Sequence, residues 1–200
     1  QDAGEPGVAN VTVSVEWRSV TTDVNGYWQS ADLRSGRSYT VTFSNIPAGY
    51  VFTYQNQGSD EALDSDASPV DGVAGSYTAV ANTTLDYIDA GIYLPVPEIN
   101  LKGNNTSIYN GKTSTGVEDN TYFGSADIVT GLISNSFTIV NEGDGDLDLT
   151  GSPLVEITGS HASDFSVITQ PSEAIVNPNN GIETFVIRFD PSAAGIRSAT

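Results

Sequence analysis

Two hundred residues, 38% of them hydrophobic, suffice for one large core or two cores of roughly 100 residues each. Twenty-five carboxylates against seven Lys and Arg give a formal charge of −18, which repels phosphate backbones and anionic lipid and excludes nucleic-acid binding. The lack of cysteine excludes disulfides, thiolate metal sites and a cysteine nucleophile, and no stretch reaches the roughly 18 apolar residues of a membrane-spanning helix.

Gly, Asn, Thr, Ser, Val and Tyr dominate the rest, a mixture that suits strands and turns and suits long amphipathic helices badly. In chain order, Val8, Val11, Val13, Val15 and Trp17 interleave with polar residues and predict a half-buried strand over 8–17. Asn25-Gly26 predicts a tight turn leading into a short strand at Tyr27-Trp28. Further strands are expected at 37–43, 50–54, 76–80 and 85–94. Pro95-Val96-Pro97 then removes backbone donors and favours extended chain, which places a domain boundary near residue 96 and divides the protein into 1–95 and 96–200. Beyond it, strands are expected at 98–101, 121–129, 132–140, 147–149, 153–157, 164–168 and 182–189, with Asn141-Glu142-Gly143-Asp144-Gly145-Asp146 as a hairpin loop. The expectation is all-β, two tandem immunoglobulin-like sandwiches with almost no helix. Residues 1–95 carry twelve acids and three Arg, and 96–200 carry thirteen acids and four Lys or Arg, so neither half is a basic docking patch.

The first half resembles the B-like repeat domains of the serine-aspartate repeat adhesins, calcium-binding relatives of the collagen-adhesin B-type domains. The stretches that carry the resemblance are Gln1-Asp2-Ala3-Gly4-Glu5-Pro6-Gly7-Val8, Thr22-Asp23-Val24-Asn25-Gly26-Tyr27, Ile46-Pro47-Ala48-Gly49-Tyr50, Gly58-Ser59-Asp60 with Leu63-Asp64-Ser65-Asp66, and Asp89-Ala90-Gly91-Ile92-Tyr93. The second half resembles, more loosely, the immunoglobulin-like choice-of-anchor D modules related to Hydin-type domains, through Phe123-Gly124-Ser125, Phe137-Thr138-Ile139-Val140-Asn141-Glu142-Gly143, Ala162-Ser163-Asp164-Phe165 and Phe189-Asp190-Pro191-Ser192-Ala193-Ala194-Gly195. Against both families the chain lacks a first strand at its start and a last strand at its end, so it is expected to be cut from a longer protein. Strand addition between copies is then an expected route to oligomer or fibre contacts.

Calcium is the expected cofactor. The resemblance implies an EF-hand-type loop in which Glu5 is the twelfth position and Asp2 the ninth, a ligand pattern set by the six to eight oxygens that a hard cation needs. It also implies ligands at Asp60, Asp64 and Asp66, in an acidic loop with Glu61 and Asp71 nearby, where carboxylates repel unless solvated or shared by a cation. The run Asp144, Asp146 and Asp148 is read as a solvated hairpin rather than a cation site. An internal Lys–Asn or Lys–Asp isopeptide, frequent in the wider collagen-adhesin class, is impossible in the first half, because both lysines, Lys102 and Lys112, lie in the second.

No nucleophile-elbow or zinc-protease pattern occurs, and no catalytic residue is expected. The single histidine, His161, reads as a surface loop residue. Trp17 and Trp28 read as core or strand-face residues. The sequons at Asn10, Asn82, Asn104 and Asn105 read as chance occurrences. The functional expectation is a non-catalytic structural segment of a large secreted bacterial surface adhesin, stalk or fibre, rigidified by calcium, with neighbouring modules of the same chain as partners and no membrane insertion. Two alternatives stay open: a module that binds carbohydrate or protein through exposed Tyr and Trp, and an accessory segment of a secreted hydrolase.

Overall fold

Alternation of β-branched residues builds the first sheet. Val11, Val13 and Val15 point to one side of strand β1 (Thr12–Val15) and its lead-in, where all three are buried. Strands β2 (Arg18–Thr21), β3 (Ser38–Ser44) and β5 (Val73–Thr78) complete an antiparallel sheet in the order β2-β1-β3-β5. The register sets Val13 opposite Val20 and Phe43, and Val15 opposite Val41, so inward residues of neighbouring strands meet on one face. Ala67, Ala74 and Ile88 extend this core, and Phe52 from a two-stranded sheet of β4 (Val51–Phe52) and β6 (Ile92–Tyr93) packs against it. The computed structural model describes residues 5–57 and 64–200, and the chain divides into units Gln1–Leu94 and Pro95–Thr200.

The second unit carries a five-stranded sheet in the order β11-β13-β9-β7-β8, from β7 (Ile99–Gly103), β8 (Thr106–Ser107), β9 (Ile133–Asn141), β11 (Phe165–Thr169) and β13 (Gly181–Phe189). A smaller pair, β10 (Leu147–Asp148) and β12 (Ile175–Val176), belongs to the opposing layer. Aromatic residues fill the space between. Phe137 stacks on its cross-strand partner Phe185 at 5.3 Å, Phe165 stacks on Phe189 at 4.8 Å, and Phe123 turns its ring towards Phe137, Phe165 and Phe189. The described residues are all-β, as expected, apart from one turn of 3₁₀ helix at Ala162–Asp164.

Several expected strands take another form. The single strand over 8–17 is replaced by a β1–β2 hairpin, because Glu16 adopts φ 55° and turns the chain at Glu16-Trp17. Residues 121–129 and 153–157 form no strand, and 85–94 pairs only at Ile92–Tyr93. The Asn25-Gly26 turn forms, closed by Asp23 Oδ1, which accepts from the Asn25 and Tyr27 N–H groups, but no strand follows it.

Buried Asn141 fixes the 141–146 loop. Its Nδ2 donates to the Gly145 and Val176 carbonyls at 2.7 and 3.0 Å, and its Oδ1 accepts from the Glu98 and Gly143 N–H groups, both at 3.1 Å. Four bonds satisfy the whole amide, and they tie the start of β7 to β9 and β12. Gly143 is required beside it, since a Cβ there would lie 2.3 Å from the Val96 carbonyl oxygen.

Candidate metal centre and the charged groups around it

The segment after the acidic loop runs along the interior of the first unit. Gln55 makes an isolated parallel bridge to Ser65, the Asn56 N–H donates to the Ser65 carbonyl, and the Asp66 N–H donates to the Asp89 carbonyl. These backbone bonds draw Asp64 and Asp66 inward, to 7% and 4% exposure. Each Asp66 oxygen accepts one hydrogen bond: Oδ1 from the Tyr77 hydroxyl at 3.1 Å and Oδ2 from the Asp89 N–H at 2.9 Å. Asp64 Oδ1 is buried with no hydrogen-bond partner among the described residues. A buried anionic oxygen in that state is costly unless a cation meets it.

Asp89 joins these two from 23 residues beyond Asp66. Burial, reinforced by the charges of Asp66 and Asp64, pushes its carboxyl up to about 6. The desolvated, mutually repelling carboxylates suit a hard divalent cation in donor chemistry. Among the described residues, no three acidic or histidine side chains already converge in a metal-holding arrangement. Asp89 was not among the residues singled out as ligands. It lies inside the Asp89-Ala90-Gly91 stretch, and only the packing of that segment against 64–66 reveals its charge as part of the cluster.

Of the other expected ligands, Glu5 is exposed at the surface, and Asp2 and Asp60 lie outside the described residues, as does Glu61. Asp71 is exposed and held below the usual carboxylate range by hydrogen bonds from Ser68 and the Val73 N–H. The Asp144, Asp146 and Asp148 side chains are exposed, and Asp144 Oδ1 accepts from the Val96 N–H at 2.8 Å, which makes it a turn tie.

Three cationic side chains of the second unit are paired with acids. Lys112 Nζ sits against Asp119 Oδ2, with Glu118 Oε1 at 3.8 Å. Against its own burial, Asp119 is held below the usual range by Lys112 and Thr121. Lys102 Nζ meets Glu142 Oε1 at 2.7 Å, and buried Asp164 meets Arg197 Nε at 3.1 Å while accepting from the Ser192 N–H. His161 is a turn tie as well as a loop residue, for its Nδ1 accepts from the Ser198 N–H at 3.1 Å.

The tryptophans divide. Trp28 packs edge-on against Phe43 at 5.9 Å and donates its indole N–H to the Ile88 carbonyl, a core role as expected. Trp17 corrects the other half of that expectation: it is 67% exposed, because it occupies the β1–β2 turn and not a strand face.

Residues 1–92 match the SdrD B-like domain family. Serine-aspartate repeat-containing protein D of Staphylococcus aureus (strain Newman) is 30% identical over 200 residues, covering 92% of this chain and 14% of that protein. Serine-aspartate repeat-containing protein F of Staphylococcus epidermidis is 36% identical over 104 residues, 48% of this chain and 6% of that protein. Serine-aspartate repeat-containing protein C of Staphylococcus aureus (strain N315) is 41% identical over 92 residues, 43% of this chain and 9% of that protein. The chain therefore spans a small part of the curated relatives it matches. No solved structure matches it significantly.

Proposed function

We propose that this chain is a non-catalytic structural segment of a large secreted bacterial surface adhesin, and that calcium rigidifies its first unit. The observation that carries this reading is the alignment of nearly the whole chain with a short stretch of a much longer repeat-containing protein. The first unit is a B-like repeat, supported by the match over residues 1–92. The second is an immunoglobulin-type module of the choice-of-anchor D kind, in keeping with its two opposed sheets. Its partners are neighbouring modules of the same long chain.

Asp64 and Asp66 would hold the cation from the interior side, Asp60 from the acidic loop, and Asp2 with Glu5 at a second place. When bound, calcium supplies the positive charge that the buried Asp64 oxygen lacks and offsets repulsion among Asp64, Asp66 and Asp89. The chain's own contribution is positioning. The Tyr77 hydroxyl and the Asp89 N–H fix the Asp66 carboxylate, and the backbone bonds of 55–56 with 65 hold the loop's end against the core. Single-molecule stretching tests the reading: the first unit should unfold at higher force in millimolar calcium than in chelator, and equal forces would overturn calcium rigidification.

A further inference from the structure

The three arginines of the first unit gather at one end of its four-stranded sheet. Arg37 lies over the Trp17 ring at 4.9 Å and over the Tyr39 ring at 5.5 Å. Arg34 stands in the same turn, where its N–H donates to the Tyr39 hydroxyl at 2.9 Å and its carbonyl accepts from the Arg37 N–H. Arg18, next to Trp17, donates to the Asp32 carbonyl at 2.8 Å and borders a recess of about 310 Å3 walled by Val13, Val15 and Val20.

All three arginines are exposed, and among the described residues none forms an ion pair. In the second unit Lys102, Lys112 and Arg197 are each paired with an acid, and among the described residues only Arg188 is not. Glu16 and Asp32 belong to the same segments, yet Glu16 Oε1 accepts from the Thr40 N–H and Asp32 engages Arg18 through its carbonyl. Arg18 keeps one guanidinium nitrogen on the Asp32 carbonyl, and Arg37 lies against an indole that is 67% exposed.

From this arrangement we propose that Trp17, Arg18, Arg34 and Arg37 form a binding surface for an acidic oligosaccharide whose sugar ring carries a carboxylate. A planar guanidinium grips a carboxylate with two parallel N–H bonds, while the apolar C–H face of a pyranose packs on an exposed indole. Charge selects the same partner. The three guanidinium groups outnumber the acids Glu16 and Asp32 of the same segments, so this end of the sheet attracts a carboxylate locally against the net charge of the chain. An acidic peptide offers the carboxylate without the flat C–H face and is the weaker fit. The surface is independent of the calcium reading, and its failure would leave that reading standing.

The test titrates the whole chain with a tetrasaccharide of alternating glucuronate and N-acetylglucosamine, following tryptophan fluorescence and calorimetry at physiological salt. Expected are saturable binding with a change in Trp17 emission, loss of binding when the carboxyls are reduced to alcohols, and weakening on the order of tenfold in Arg37→Gln and in Trp17→Ala. Arg18→Gln and Trp17→Ala change exposed side chains, and unchanged melting temperatures would show that they keep the fold. Equal binding of poly-glutamate would overturn the carbohydrate assignment. Absence of binding at millimolar ligand, or binding untouched by all three substitutions, would overturn the surface itself.

Discussion

Replacing Asp64 by Asn separates a cation ligand from an ordinary buried acid by the sign of its effect. Asp64 is 7% exposed, its Oδ1 has no hydrogen-bond partner among the described residues, and its charge adds to the field that raises Asp89. In chelator, Asp64→Asn removes a buried, repelled charge at nearly constant volume, so stability should stay level or rise by about 1 kcal/mol. In calcium the parent gains RT ln(1 + [L]/Kd), about 2.7 kcal/mol at one hundred times Kd, and the variant should lose most of that gain. For a unit of this size 1 kcal/mol moves the melting temperature by roughly 4–8 °C, so the parent's calcium-induced rise should be on the order of 10–20 °C and the variant's a small fraction of it. Differential scanning calorimetry of both proteins, with calcium and with chelator, reads all four values. A variant whose calcium-induced rise equals the parent's would refute the ligand role; a loss of equal size in both buffers would show that Asp64 acts only through packing.

Asp89 makes a pH prediction. Its folded-state carboxyl titrates near 6, above that of an ordinary aspartate, so the folded chain binds this proton more tightly than the unfolded chain. Metal-free stability of the first unit should therefore fall as pH rises from about 4 to about 6 and level off above, by roughly 1–2 kcal/mol after allowance for half-burial, and Asp89→Asn should flatten the profile in urea titrations. In calcium the trend should reverse over the same window, because the metal competes with the proton. In the second unit, Asn141→Ala strands the Glu98 and Gly143 N–H groups and two carbonyls, and should cost about 3–5 kcal/mol by denaturant unfolding. Phe137→Ala removes one ring of a stacked pair inside the aromatic core and should cost about 3–5 kcal/mol, while Phe137→Leu should recover more than half.

The all-β class was legible because its signal is local. Tyr39, Val41 and Phe43 alternate on β3, and the apolar positions of β9 and β13 form runs too regular for a helix. What escaped was set by backbone turns and distant pairing. Period alone could not show that Glu16 takes a left-handed conformation, and that one dihedral converts a predicted strand into a hairpin and moves Trp17 from a core face to solvent. Residues 121–129 offered alternation, yet their polar groups go to local ties instead: Asp127 Oδ1 accepts from the Val129 and Thr130 N–H groups, and the Tyr122 N–H reaches the Gly116 carbonyl.

The charged groups follow the same rule. Composition gives the sum of the charges, and only the fold decides which are isolated. Asp64 and Asp66 could be picked out in one acidic loop through the family resemblance, but Asp89 enters their field only because the segment leading to β6 runs beside residues 64–66. The arginines show the converse. Arg18 lies far along the chain from Arg34 and Arg37, and a count of twelve acids against three arginines excluded a basic patch in the first half. Folding concentrates the minority charge at one end of a sheet and leaves it unpaired among the described residues, so a strongly acidic module can present a small cationic face whose existence its net charge conceals.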